Sequence, residues 1–173
     1  MTPARLLLGA ATVLLALLLQ TAVLSGLPLP GARPDLLVVV VVAFALAEGP
    51  LSGAVTGFVT GLGADLLADH ALGRFALVLA VVGHVAGQAH DDTERSTLLP
   101  FAVVVAATAG AVLLFAGEGL LLGDPRVGLA PVLRSLASTL PYAVVLTPLV
   151  VPLVARLARS ADDVDPVRLA VRR

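Results

Sequence analysis

Gly53-Ala54-Val55-Thr56-Gly57-Phe58-Val59-Thr60-Gly61-Leu62-Gly63-Ala64-Asp65 says more about the fold than any other stretch of the chain. Gly53, Gly57 and Gly61 recur every four residues, so on a helix they share one face. The residues between them are mostly apolar. A glycine stripe on an apolar helix lets a neighbouring backbone come close and gain van der Waals contact, which is how membrane helices pack without a hydrophobic drive between them. Close packing within one subunit is the first expectation for this face. The other use of such a stripe is an interface with a partner or with a second copy, a homodimer. Asp65 keeps the same four-residue spacing and falls on the glycine face rather than on lipid.

Working outward, the composition places the whole chain in a bilayer. It has 173 residues, of which 58% are hydrophobic and 13% charged, with a mean hydropathy of +1.02. A soluble domain is about half apolar and about one quarter charged. A chain of this length has too much surface for its volume to hide so many apolar side chains from water. The formal net charge is −1, which argues against electrostatic nucleic-acid binding, since that needs a basic face. There is no Cys, so disulfides, thiolate metal sites and Cys nucleophiles are excluded. All 11 basic residues are Arg, and the absence of Lys excludes a Walker-type phosphate loop and Schiff-base chemistry. No cofactor-binding fingerprint is present.

The pattern predicts an all-α integral membrane protein of about six transmembrane helices in one domain over residues 1–158, with a short charged cytoplasmic tail over 159–173. The first apolar run, Leu6 to Leu24, is long enough to be a retained span rather than a signal peptide. Ser25 to Arg33, with Pro28, Pro30 and Gly31, reads as a loop. Pro34-Asp35 opens a Val-rich second run, Leu36 to Ala47. Backbone polar groups cannot stay unpaired in lipid, so this run must be helical. It is short, and is expected to borrow flanking residues, thin the bilayer or sit partly re-entrant. Gly49-Pro50 turns into a third helix, Leu51 to Ala68. Asp69-His70-Ala71 turns into a fourth, Leu72 to Ala89. His90 to Arg95 reads as a solvent loop, and the fifth helix covers Leu98 to Leu122. The sixth, Val132 to Ala158, is expected to be broken by Pro141, Pro148 and Pro152.

Arginine placement sets the orientation. With both termini cytoplasmic, the inner side holds Arg5, Arg95, Arg156, Arg159, Arg168, Arg172 and Arg173, and the outer side Arg33, Arg74, Arg126 and Arg134. The location implied is the cytoplasmic membrane, multi-pass.

Four intramembrane polar residues stand out: Asp65, Arg74, His84 and Glu118. A charged group at membrane depth is costly and is usually paired, functional or both. Asp65 lies within a turn of its helix end, and Arg74 lies early in the next helix, just across the short turn. An Asp65–Arg74 or Asp69–Arg74 pair is expected to pin this hairpin, with a snorkelling interfacial Asp65 as the alternative. His84 has no carboxylate at its depth and is expected to be neutral and hydrogen-bonded between helices. Glu118, between Gly117 and Gly119, belongs at the outer interface. His70 and His90 are turn or interfacial residues, and three scattered His make no metal site. Gly61-x-Gly63-x-Asp65 departs from an intramembrane aspartyl protease, because Ala64 intervenes and no second mid-membrane Asp exists to share a proton. No catalytic, cofactor or metal residues are assigned.

Several stretches together resemble the rod-shape-determining MreD family: Leu19-Gln20 before a Pro-containing loop; Pro34-Asp35-Leu36-Leu37 through Glu48-Gly49-Pro50-Leu51; the glycine stripe through Asp65-Leu66-Leu67, with Leu72-Gly73-Arg74-Phe75-Ala76-Leu77 and Val82-Gly83-His84-Val85-Ala86-Gly87; and Pro141-Tyr142 with Thr147-Pro148-Leu149-Val150. The resemblance implies a non-enzymatic scaffold subunit of the bacterial elongation complex, or elongasome, supporting cell shape and lateral peptidoglycan synthesis. It implies MreC as partner, together with RodA, its penicillin-binding-protein wall synthase and MreB. It also implies a fold similar to the six-helix substrate-binding subunits of energy-coupling-factor transporters. The alternative function is such a vitamin-binding subunit, for which five Phe, one Tyr and no Trp are a thin aromatic inventory.

Overall fold

The computed structural model describes residues 3–24, 35–68, 72–124 and 127–163. They form six α-helices: α1 (Pro3–Leu18), α2 (Leu36–Glu48), α3 (Pro50–Leu66), α4 (Arg74–Gly87), α5 (Leu99–Leu121) and α6 (Leu129–Asp163). A π-helical stretch, Leu19–Leu24, continues α1, and a 3-10 helix, His90–Arg95, joins α4 to α5. Among the described residues there is no strand. The loop over 25–33, the turn Asp69-His70-Ala71 and the tail beyond 163 lie outside the described residues.

Two sequence expectations need correction. His90 to Arg95 is a 3-10 turn rather than an open loop, and Thr93 Oγ1 ties it to the Ala89 carbonyl at 3.0 Å. The sixth helix is not broken: Pro141, Pro148 and Pro152 all lie inside one continuous α6. Hydroxyls along α6 bond back to carbonyls one turn earlier, as Thr139 does to Ser135 and Thr147 to Ala143, each at 2.7 Å. Helix α5 and the segment Leu129–Ser160 of α6 are long and apolar enough to cross a membrane.

Helix α2 is the axis of the bundle. Leu36 through Leu46 are all buried, with α1, α3, α4, α5 and α6 around them. A helix that is apolar on every side can be satisfied only by enclosure. Its valines are poor helix formers in isolation, and here Val38, Val39, Val41 and Val42 have no exposed surface at all. With 13 residues, α2 spans only about 20 Å, short of a bilayer core of about 30 Å. The shortness is tolerated because protein, not lipid, meets its flanks.

Burial makes the ends of α2 the critical points, since terminal N–H and C=O groups have no partner within the helix. At the start, the Asp35 carboxylate accepts from Val38 N–H at 3.2 Å, and Gln20 Oε1 from the π stretch accepts from Leu36 N–H at 3.0 Å. At the finish, Gly49 N–H donates to the Ala45 carbonyl at 2.9 Å. His90 Nδ1–H donates to the Leu46 carbonyl at 2.6 Å. Gly49 has φ of 93°, which favours glycine, and it lets the chain reverse directly into α3 with Pro50 at the first helical position.

The outward faces are apolar. Leu51 is 77% exposed, Val145 71% and Leu121 88%, and large aliphatic side chains continue along α1, α3 and α4. A soluble monomer rarely presents contiguous apolar surface of this extent, whereas lipid accepts it.

Candidate functional site

The hairpin of α3 and α4 is built on backbone contact. A Cβ added at Gly53 would collide with the Gly83 carbonyl, one at Gly57 with the Leu79 carbonyl, and one at Gly61 with the Ala76 backbone. From the other side, a Cβ at Gly83 would strike the Gly53 carbonyl, and one at Gly87 would stand 2.5 Å from Pro50 Cα. The helices therefore run antiparallel with glycine or a bare backbone at each level of contact. Gly53, Gly57 and Gly61 all face α4, so this face is filled within the chain and closed to a second copy.

Asp65 sits where the stripe ends, 1% exposed. Its carboxylate accepts three backbone N–H groups from the start of α4: Gly73 at 2.8 Å, Phe75 at 3.2 Å and Ala76 at 3.1 Å. Those amides belong to the turn whose donors have no intrahelical acceptor, and the positive end of the helix dipole favours an anion there. Gly73 precedes α4 with φ of 94°, a left-handed conformation that turns the chain so the amides converge on one carboxylate.

Asp65 thus pins the hairpin, but the side-chain pair expected with Arg74 gives way to main-chain capping. Arg74 points instead toward α5. Its Nε lies 3.9 Å from Glu118 Oε2, and its guanidinium carbon is 4.6 Å from the centre of the Phe115 ring. Phe75 meets Phe115 edge to face, with centroids 6.2 Å apart. Arg74 Nε and Nη2 and Glu118 Oε2 are buried atoms without a hydrogen-bond partner. The ion pair is therefore Coulombic and loosely formed, with the ring face of Phe115 as the guanidinium's second support. The Asp69 alternative lies outside the described residues.

His84 departs from expectation. Gly83 and Gly87 take the side of α4 that meets α3, and residue 84 is about 100° further round the helix. The side chain consequently lies on the exposed face in the last turn of α4 instead of between helices. His90, read from sequence only as an interfacial residue, closes the end of α2. Gln20 does the same at the other end. No spacing rule links either residue to α2, since each comes from a different helix.

Among the described residues, no three His, Asp or Glu side chains gather as metal ligands. Asp65 and His90 serve helix ends, Arg74 and Glu118 lie against each other, and Ser52 Oγ donates to Glu48 Oε2 at 2.5 Å one turn back along the chain.

An apolar-surfaced bundle of helices around a buried central helix, with Asp65, Arg74 and Glu118 fastened inside it, is the structure of a membrane-embedded structural protein. The family model for rod shape-determining protein MreD matches residues 2–159, and the chain belongs to that family. Its role is in rod shape determination, and the family is one of membrane proteins. No curated protein and no solved structure matches the chain.

Proposed function

We propose that this chain is a non-enzymatic scaffold that holds other components of the elongation complex at the cytoplasmic membrane. All six helices lie in the bilayer with both termini cytoplasmic, in an arrangement similar to the substrate-binding subunits of energy-coupling-factor transporters. The partner engaged directly is MreC, and through it RodA with its penicillin-binding-protein synthase; MreB joins from the cytoplasmic side.

One observation carries this reading. The ionisable groups described inside the bundle are engaged with helix ends, with one another or with an aromatic ring, and the outward surface is apolar. Such a molecule works through its surfaces. Arginine asymmetry supports the orientation, and the enclosure of α2 explains how a 13-residue helix sits in a six-span bundle.

The test is affinity purification of the tagged chain from native membranes after crosslinking. Recovery of MreC and the synthase is the expected result; recovery of neither refutes the scaffold. Reporter fusions at each end should both read cytoplasmic.

A further inference from the structure

The outward face of α6 carries a defect that no described side chain repairs. Pro141, Pro148 and Pro152 have no N–H, so the carbonyls one turn earlier, at Ala137, Val144 and Pro148, lose the donor that a helix supplies. On a helix the three prolines fall within an arc of about 40°, and all three are exposed. Ala137 and Val144 are exposed as well, so the freed carbonyls lie on the same side. The opposite side of α6 is the packed one, where Ala143, Thr147, Val150 and Val154 are buried. The hydroxyls of α6 bond back to the carbonyls of Arg134, Ser135 and Ala143, and to none of the freed three.

Depth makes this costly. The three carbonyls lie within Leu129–Ser160, the segment of α6 long and apolar enough to cross a membrane. They span about 17 Å, and Ala137 is about 12 Å along the axis from Leu129. Lipid tails have no hydrogen to donate, and a membrane helix tolerates proline where something else satisfies the freed backbone. A second copy cannot do so through this face. Its exposed residues from Ala137 to Leu153 are Ala, Pro, Val and Leu alone, with no side-chain donor among them. Arg134 and Arg159 are exposed on the same stripe, one beyond each end. Two copies in one membrane share an orientation, so contact here sets each Arg beside its twin, and like charges repel.

We propose that this face docks a transmembrane helix of a different protein, one carrying Ser, Thr, Asn or Gln at the depths of the freed carbonyls and an acidic residue beyond at least one end. Side chains of those four types hydrogen-bond across helices in membranes. The carbonyls are seven and four residues apart. A partner helix with the same rise presents donors at the same depths only if they recur at that spacing. Val145, 71% exposed between the prolines, supplies apolar contact. The inference rests on the scaffold reading and names the surface that the scaffold uses.

The full chain is expressed in native membranes with photoreactive benzoyl-phenylalanine at Val145 or, as a control, at the exposed Val55 of α3. Illumination at Val145 should crosslink a membrane-spanning helix, identified by mass spectrometry of the joined peptide, with at least two donors at the stated spacing. Val55 should give much less. Pro148→Ala returns a donor to the Val144 carbonyl and should lower the yield about threefold; replacing all three prolines by Ala should lower it about tenfold, with helix content retained. Replacing the partner's donors by Ala should act in the same way on the wild-type chain, which keeps the test decisive if the proline variants misfold. Crosslinking to lipid alone, to a second copy or to a helix without such donors overturns the proposal, as do equal yields at Val145 and Val55 or an unchanged yield from folded proline variants. Lipid alone at Val145, while purification still recovers the partners named above, refutes this face and leaves the scaffold standing. A donor-bearing helix from an unrelated protein does the reverse.

Discussion

Asp65→Ala is the most informative single perturbation of the hairpin. The substitution removes the acceptor for three amides, those of Gly73, Phe75 and Ala76. An ordinary exposed N-cap is worth about 1 kcal/mol, because water replaces the lost side chain. Here Ala76 has no exposed surface, and the carboxylate's own site is closed. Each buried donor left unsatisfied costs about 1–3 kcal/mol. With Ala76 fully enclosed and Gly73 and Phe75 half-buried, the loss should come to about 4 kcal/mol. Asp65→Asn keeps one oxygen and should lose roughly half as much. The assay is reversible unfolding in mixed micelles by titration with a denaturing detergent, followed by circular dichroism. The order wild type, Asn, Ala is expected. An Ala variant within about 0.5 kcal/mol of wild type would refute the reasoning, since a surface substitution changes stability by no more than that.

The same assay reads four further predictions. Gly57→Ala should destabilise by about 1–3 kcal/mol, the usual penalty of forcing atoms into a packed contact, because its Cβ meets the Leu79 carbonyl. Gly110→Ala, where a Cβ meets nothing within 4 Å, should be neutral or gain up to about 1 kcal/mol from helix propensity. Arg74→Met and Glu118→Gln should each destabilise, yet the double variant should cost less than the sum, since each single change strands a partly buried partner. His90→Phe should cost about 1–3 kcal/mol by leaving the Leu46 carbonyl without its donor; a value near zero would show that the bond does not hold α2.

Much of this fold was legible because it rests on local rules. The spacing of Gly53, Gly57 and Gly61 marks a face by itself, and Gly83 and Gly87 mark the matching face of the next helix. The reversal at Gly49-Pro50 follows from backbone chemistry that few other residues allow, whereas the left-handed Gly73 starts the fourth helix at Arg74, two residues after the Leu72 start read from sequence. What stayed hidden depends on which helices become neighbours. Nothing near Arg74 in sequence points to Glu118, and the closer Asp65 was the natural partner until the α4 amides claimed it. The depth of α2 was hidden for a similar reason: a short all-apolar helix has no polar side to report which face meets lipid, so its central position emerges only when five others surround it. For His84, polarity suggests burial at membrane depth, while the adjacent glycines fix the inward side of α4 and leave the imidazole on the exposed face.

The glycine zipper between α3 and α4 has a mechanical consequence. Backbone against backbone leaves no side chains to yield, so one helix can slide past the other only in whole steps of four residues, about 6 Å each, and with every intermediate offset blocked. The hairpin is in effect a single rigid rod fastened at one end by Asp65. Helices α5 and α6, by contrast, border a cavity of about 320 Å³, so that side of the bundle has room to move that the hairpin lacks.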